Sequence, residues 1–223
     1  MNFNFNISEL IFVMPELFLL AAISCILLFD LYVKEELKKF TYHLSQLALL
    51  ITGLLAFNLI GESATIFSGT FVLDTLGSTF KVFIAGFSII ALVYSRHYLS
   101  VHGLLRNEYF ILALMSILGM LVMVSGHSLL TLYLGLEIMS LSLYALIATA
   151  RDRAFAIEAA LKYFVLGAIA SGLLLYGMSM IYGITGNLDI AEIASFASLA
   201  TLEPQEILIL NFGLVFLVIG VAF

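Results

Sequence analysis

The stretch that decides the fold is LLTLYLGLEIMSLSLYALIATA (residues 129–150), followed after a charged turn by FAIEAALKYFVLGAIASGLLLYGMSMIYG (residues 155–183). Each run predicts a helix long enough to cross a bilayer, which takes about 20 apolar residues. The first run carries one formal charge, Glu137, and the second carries Glu158 and Lys162. Because ionisable groups are costly to place inside a membrane, the sequence predicts that function resides in this helix pair.

Polar side chains of the first run recur every three or four residues and therefore share one side of the predicted helix. They are Tyr133, Glu137, Ser140 and Tyr144. A stripe that contains a carboxylate is expected to face protein or a water-filled path. A polar seam that only holds helices together remains an alternative for the serine and the tyrosines. Packing rarely requires a full carboxyl group, so Glu137 is the leading candidate for function.

The second run begins with a pair of opposite charges, Glu158 and Lys162, at the favourable i, i+4 spacing with glutamate first. Lys162 lies about 12 Å from the charged turn at 1.5 Å per residue, and Glu137 lies about 20 Å from it. We therefore expect Glu137 and Lys162 to communicate through water or a third group. The alternative is a pair at the helix start whose charged ends reach the membrane surface.

Composition defines the class of protein. The 223 residues are 63% hydrophobic and 11% charged, with a mean hydropathy of +1.15, whereas soluble domains average about 25% charged residues. The single cysteine, Cys25, lies in the first apolar run and can form no internal disulfide. Metal-ligand spacings, phosphate-binding loops and nucleophile patterns are absent from the sequence. The chain is predicted to be an all-α polytopic membrane protein.

Hydrophobic runs predict about seven membrane-spanning helices. Their ranges are 9–33, 40–60, 80–98, 109–126, 129–150, 155–183 and 207–223. The polar segment 61–79 contains short β-branched alternation, which favours an external loop or hairpin. Apolar residues from Ile190 to Ala197 recur at helical spacing, which predicts a short amphipathic helix on the membrane surface.

Basic residues fall in the first, third and fifth loops, whereas the second, fourth and sixth loops have none. They are Lys34, Lys38, Lys39, Arg96, Arg106, Arg151 and Arg153. By the positive-inside rule the odd loops are cytoplasmic and the N-terminus is outside. Lys81, near the external start of the third run, is predicted to be an interfacial anchor. The seventh run heads for the cytoplasm but ends at Phe223 without a basic or polar cap, so we expect a longer chain of which this is the N-terminal portion.

Two motifs carry a resemblance to a known family. LYLGLEIMSLSLYAL (residues 132–146) and EAALKYFVLGAIASGLLLYGMSMIYGITG (158–186) resemble the antiporter-like membrane subunit N of respiratory complex I, the proton-pumping NADH–quinone oxidoreductase. MPEL (14–17), FVLD (71–74) and YSRHYL (94–99) are similar to the same family in the same order. The resemblance therefore covers nearly the whole chain.

The resemblance implies both a fold and residue roles. Glu137 matches an essential proton-channel glutamate of the fifth helix, and Lys162 matches the lysine of the sixth. The implied fold has fourteen helices with inverted repeats. Residues 1–107 would supply helices one to three, and residues 108–223 would supply helices four to seven of an incomplete first repeat. The family's broken-helix lysine would follow Phe223.

The implied function is proton translocation coupled to quinone reduction in partner subunits of a bacterial inner membrane. The candidate relay is Glu137 and Lys162, with Glu158, Tyr133, Ser140 and Tyr144 as further members. We expect no cofactor on this chain, and we expect NADH, FMN, iron–sulfur clusters and quinone in partner subunits. The expected partners are other complex I membrane subunits, including sister antiporter-like subunits, and the lipid bilayer, with no nucleic acid.

Alternative functions remain open. A subunit of a multi-subunit cation/proton antiporter would keep the Glu–Lys pair and respond to sodium. A non-pumping structural membrane module would use the charges for packing alone. A retinal protein is excluded, because its last helix needs a Schiff-base lysine and no lysine follows Lys162.

Overall fold

Eight α-helices and one β-hairpin form the part of the chain that the computed structural model describes, residues 7–32, 40–198 and 203–222. In chain order the elements are α1 (Met14–Tyr32), α2 (Phe40–Asn58), β1 (Ala64–Ile66), β2 (Phe71–Leu73), α3 (Thr75–Val101), α4 (Asn107–Ser125), α5 (Leu129–Ala148), α6 (Ala154–Thr185), α7 (Ile190–Ala197) and α8 (Pro204–Ala222). Seven of these helices, all except α7, are long and apolar enough to cross a membrane. The chain is a multi-pass membrane protein, and the prediction of seven spans is confirmed.

The third span differs from its predicted bounds. It begins at Thr75, five residues before Phe80, because the Asp74 carboxylate caps it by accepting a hydrogen bond of 2.6 Å from the Gly77 backbone N–H. Such a cap satisfies a donor that the first helical turn leaves free. The prediction of a loop through residue 79 was therefore wrong for residues 75–79.

The segment 61–79, predicted as a loop or hairpin, contains a hairpin at residues 64–73 that lies at one end of the helix bundle. Phe71 of β2 forms a backbone bridge to Gly126, and Ser128 forms a second bridge to Asp189. The second, fourth and sixth loops therefore meet at the same end, which we call the hairpin end.

The third and fifth loops meet at the opposite end, which we call the basic end. Arg106 forms an ion pair with Asp152, and Arg151 lies 3.9 Å from Glu108. Two of the loops predicted to share one side of the membrane are therefore in contact. The basic residues of the first loop lie outside the described residues; they are Lys34, Lys38 and Lys39.

The main core lies between α1, α2, α3 and α4. Leu19, Leu49, Leu114 and Leu121 are fully buried there. Near the basic end, the Asp30 carboxylate of α1 accepts hydrogen bonds of 2.8 Å from Thr41 of α2 and Asn107 of α4. The core therefore holds these helices as one bundle, against which α5 packs.

Glycines allow the later helices to approach closely. A β-carbon at Gly119 of α4 would lie 2.5 Å from the carbonyl oxygen of Gly135 in α5. A β-carbon at Gly177 of α6 would lie 2.7 Å from the carbonyl oxygen of Gly213 in α8. Small residues at such crossings are typical of helix packing in membranes. They fix α5 along α4 and α8 along α6.

Candidate functional site

The polar stripe of α5 runs along one side of the helix. Tyr133, Glu137, Ser140 and Tyr144 are all half-buried. The Tyr133 hydroxyl interacts with the Glu137 carboxylate one turn away, and Tyr144 interacts with Ser140. The structure therefore brings together four of the predicted site residues.

The Glu137 carboxylate has a second partner on α6. The Ser171 hydroxyl donates a hydrogen bond to Oε1 of Glu137. Glu137 is the ninth of 20 residues in α5, and Ser171 is the eighteenth of 32 in α6. The contact therefore lies near the middle of both helices, and at Glu137 the stripe faces α6.

Sequence reasoning missed Ser171. A serine between Ala170 and Gly172 is typical of simple packing in a membrane helix. The signal that could have identified it is its i, i+4 spacing from Gly167, because small residues at that spacing mark a helix contact.

Tyr144 fills the groove between α5 and α6. A β-carbon at Gly167 would overlap the Tyr144 hydroxyl oxygen, so this glycine makes room for the phenol. The Tyr144 ring also lies edge-on to the Tyr163 ring, with centroids 4.7 Å apart. This edge-to-face geometry is favourable for aromatic pairs. Contacts with α6 therefore hold Tyr144, the residue of the stripe nearest the basic end, in position.

The predicted Glu158–Lys162 pair is present, but it lies away from Glu137. Lys162 Nζ is 2.7 Å from Glu158 Oε1, and the two side chains are 71% and 64% exposed. Nine residues separate Lys162 from Ser171, which corresponds to two and a half helical turns and places them on opposite sides of α6. In the described part of the chain, Glu137 therefore contacts Ser171 of α6 and not Lys162.

Lys81 is buried and does not lie at the membrane interface as predicted. The predicted interfacial anchor is 1% exposed, and its Nζ lies 2.5 Å from Glu16 Oε1 of α1. The prediction was wrong because α3 begins at Thr75, which places Lys81 about 9 Å into the helix. Glu16 then supplies the opposite charge that burial requires.

Comparison with known proteins finds relatives that match nearly the whole chain. Residues 126–223 match the family model described as NADH:quinone oxidoreductase/Mrp antiporter, TM. A NADH-quinone oxidoreductase subunit N from Ruthia magnifica subsp. Calyptogena magnifica is 66% identical over 98% of this chain and 46% of its own length. This chain is therefore similar to proteins named NADH-quinone oxidoreductase subunit N. It spans about half the length of the curated relatives that it matches.

Solved structures show the same fold. A chain of respiratory complex I from Thermus thermophilus superposes with a TM-score of 0.72 at 25% identity, over 94% of this chain and 43% of that one. A chain of the Mrp complex from Dietzia sp. gives a TM-score of 0.72 at 15% identity, over 94% and 40%. The predicted antiporter-like fold is thereby confirmed.

The contact between Gly167 and Tyr144 gives a stability prediction. We expect Gly167→Ala to displace the phenol and lower the thermal unfolding midpoint of the detergent-solubilised complex, since overpacking costs about 1–3 kcal/mol. Gly172→Ala is the matched control, because a β-carbon there has no neighbour within 4 Å in the described structure. Alanine is the better helix former at both positions. Equal midpoints for the two variants would contradict this placement of Tyr144.

Proposed function

We propose that this chain belongs to a proton-translocating membrane subunit of a bacterial NADH-quinone oxidoreductase, and that Glu137 carries the transported proton. The observation that supports this proposal best is the position of the carboxyl group. It lies at mid-helix in a spanning segment, between the hydroxyls of Tyr133 and Ser171. Intramembrane ionisable residues in such settings mark ion pathways and proton relays.

The two hydroxyls suit a carboxyl that changes its protonation state. A hydroxyl donates one hydrogen bond and can also accept, whereas a carboxylate only accepts and a carboxylic acid can donate. Rotation of the Ser171 or Tyr133 hydroxyl therefore satisfies Glu137 in both forms. Loading and unloading a proton then requires no movement of the backbone.

The stripe continues from Glu137 towards the basic end. Ser140 lies about one turn further along α5, and Tyr144 lies about two turns further. Their interaction keeps two hydroxyls on the same side of α5 as the carboxyl group. We assign these hydroxyls the ordering of water along the path by which Glu137 exchanges its proton.

Glu158 and Lys162 form the second charged element of the proposed relay. Glu158 and Lys162 are the fifth and ninth of the 32 residues of α6, and charges within a spanning helix are costly to expose to lipid. We therefore assign their face of α6 to a water-containing, protein-lined path in the assembled complex. Their charges act on Glu137 through the electric field, because they lie on the far side of α6 from Ser171.

The redox chemistry is assigned to partner subunits. In this proposal they bind NADH, FMN, iron–sulfur clusters and quinone, and this chain supplies the membrane path for protons. Its neighbours are other membrane subunits, including sister antiporter-like subunits. The complex lies in the bacterial inner membrane, with the N-terminus of this chain outside. The basic end then faces the cytoplasm, as the positive-inside rule requires.

A second candidate is a subunit of a cation/proton antiporter. The matching family model includes Mrp antiporters, and the Mrp complex from Dietzia sp. shares the fold. The 66% identity to a protein named NADH-quinone oxidoreductase subunit N favours the first proposal. Sodium dependence of proton movement without NADH would instead support the antiporter.

The first functional prediction concerns Glu137. In the assembled complex, Glu137→Gln should abolish or strongly reduce NADH-driven proton pumping and leave assembly intact, because an amide keeps the shape but cannot carry a proton. The measurement is proton uptake by sealed inverted vesicles, with complex content quantified on native gels. Glu108→Gln, at the exposed basic end, is the control and should pump normally. Wild-type pumping by an assembled Glu137→Gln complex would refute the role of Glu137.

The second functional prediction concerns Lys162. Lys162→Met should lower pumping more than Arg151→Met, which removes a positive charge at the exposed basic end. Lys162→Arg should pump better than Lys162→Met, because it keeps the positive charge. It should pump less well than the wild type, because a guanidinium does not release its proton. The same vesicle assay measures all three variants. If Lys162→Met and Arg151→Met both had negligible effects, Lys162 would have no role in pumping, and its ammonium would only extend to the membrane surface.

A further inference from the structure

A second pair of opposite charges, Glu16 and Lys81, is buried outside the site on α5 and α6. Lys81 Nζ lies 2.5 Å from Glu16 Oε1. The two residues are 1% and 4% exposed, respectively, and belong to the spanning helices α3 and α1. The relay proposed above uses neither residue.

The hairpin covers this pair. Lys81 Nζ lies 5.0 Å from the centroid of the Phe71 ring, a distance at which the ring attracts a cation. Phe71 in turn packs with Val13 and Ile66 in a small buried cluster. The hairpin and the segment before α1 therefore separate the pair from the solution at the hairpin end.

Unpaired hydroxyl groups are buried at the same end. Within the described residues, Ser78 and Ser125 are buried and their hydroxyls have no hydrogen-bond partner. Ser78 lies one turn before Lys81 on α3. Ser125 ends α4 and precedes Gly126, which bridges the Phe71 backbone. Buried polar groups without protein partners are commonly satisfied by internal water.

Packing is a weak explanation for such a pair. Well-packed neutral side chains in place of a buried ion pair are often neutral or stabilising, whereas removing one partner is strongly destabilising. An ion pair with unpaired hydroxyls at the same end of the bundle is, by contrast, suited to exchanging protons with internal water.

We propose that Glu16 and Lys81, with internal water held by Ser78 and Ser125, form a second proton-transfer site at the hairpin end. This proposal rests on the proposed proton-translocating function and adds a site to it. The pair starts as an ammonium and a carboxylate. An N–H bond of Lys81 breaks and an O–H bond forms at Glu16 Oε1, which leaves a neutral amine and a neutral carboxylic acid.

The site then returns to its starting state through water. The Glu16 acid gives its proton to an internal water, and the Lys81 amine takes a replacement proton from a hydronium on the other side of the pair. One proton has then crossed the site, and both charges are restored. No oxidant or reductant takes part in this step.

The test separates proton transfer from packing by using paired variants in the assembled complex. Glu16→Gln combined with Lys81→Met removes both charges and should preserve assembly, whereas either single change should lower it. Lys81→Arg keeps an ion pair but removes the ability to release a proton. The measurements are complex content on native gels and protons pumped per NADH oxidised in sealed vesicles.

We expect both the double variant and Lys81→Arg to assemble and to pump fewer protons per NADH than wild type. Removal of the ion pair at the basic end by Arg106→Gln with Asp152→Asn is the control and should leave the ratio unchanged. A wild-type ratio in either assembled test variant would overturn the proposal. Failure of both to assemble would also overturn it, because the pair would then be needed for packing. If Glu137→Gln lost pumping while the Glu16 and Lys81 variants kept the wild-type number of protons per NADH, the proposed function would stand. Only the second proton-transfer site would then be refuted.

Discussion

The function proposed for this protein depends on one interaction, the hydrogen bonding of the Glu137 carboxyl group inside a membrane helix pair. A carboxylate at that depth is costly unless its oxygen atoms have partners. Tyr133 supplies one hydroxyl from the same helix, and Ser171 supplies another from the neighbouring helix. Because both hydroxyls also accept hydrogen bonds, they can hold the carboxyl group in either protonation state.

Close helix packing makes this contact possible. Serine is short, so its hydroxyl reaches Glu137 only if α6 lies close to α5. Gly167 allows that approach by accommodating the Tyr144 phenol. On the far side, Gly135 lets α5 lie against α4, which belongs to the leucine-rich main core. The position of a mid-membrane carboxyl therefore depends on a series of glycine contacts that leads back to the first four helices.

Much of the fold was predictable because membrane spans and amphipathic stripes are properties of consecutive residues. The seven spans, the α5 stripe and the Glu158–Lys162 pair follow from length and helical spacing. Contacts between helices distant in sequence were not predictable in the same way. Ser171 was missed because nothing local distinguishes it from a packing serine. Lys81 was misplaced because the cap at Asp74 extends α3, and because the charge that neutralises it comes from another helix.

Infrared difference spectroscopy of the assembled complex during turnover can detect whether Glu137 carries the transported proton. A protonated carboxyl group gives a carbonyl band whose frequency depends on its hydrogen bonds. We expect a band that appears during turnover, is lost in Glu137→Gln and shifts in Ser171→Ala. Ser179→Ala, which removes an exposed hydroxyl from the same helix, should leave the band unchanged. A carboxyl band that persists in Glu137→Gln, with no change in Ser171→Ala, would contradict the assignment of the transported proton to Glu137.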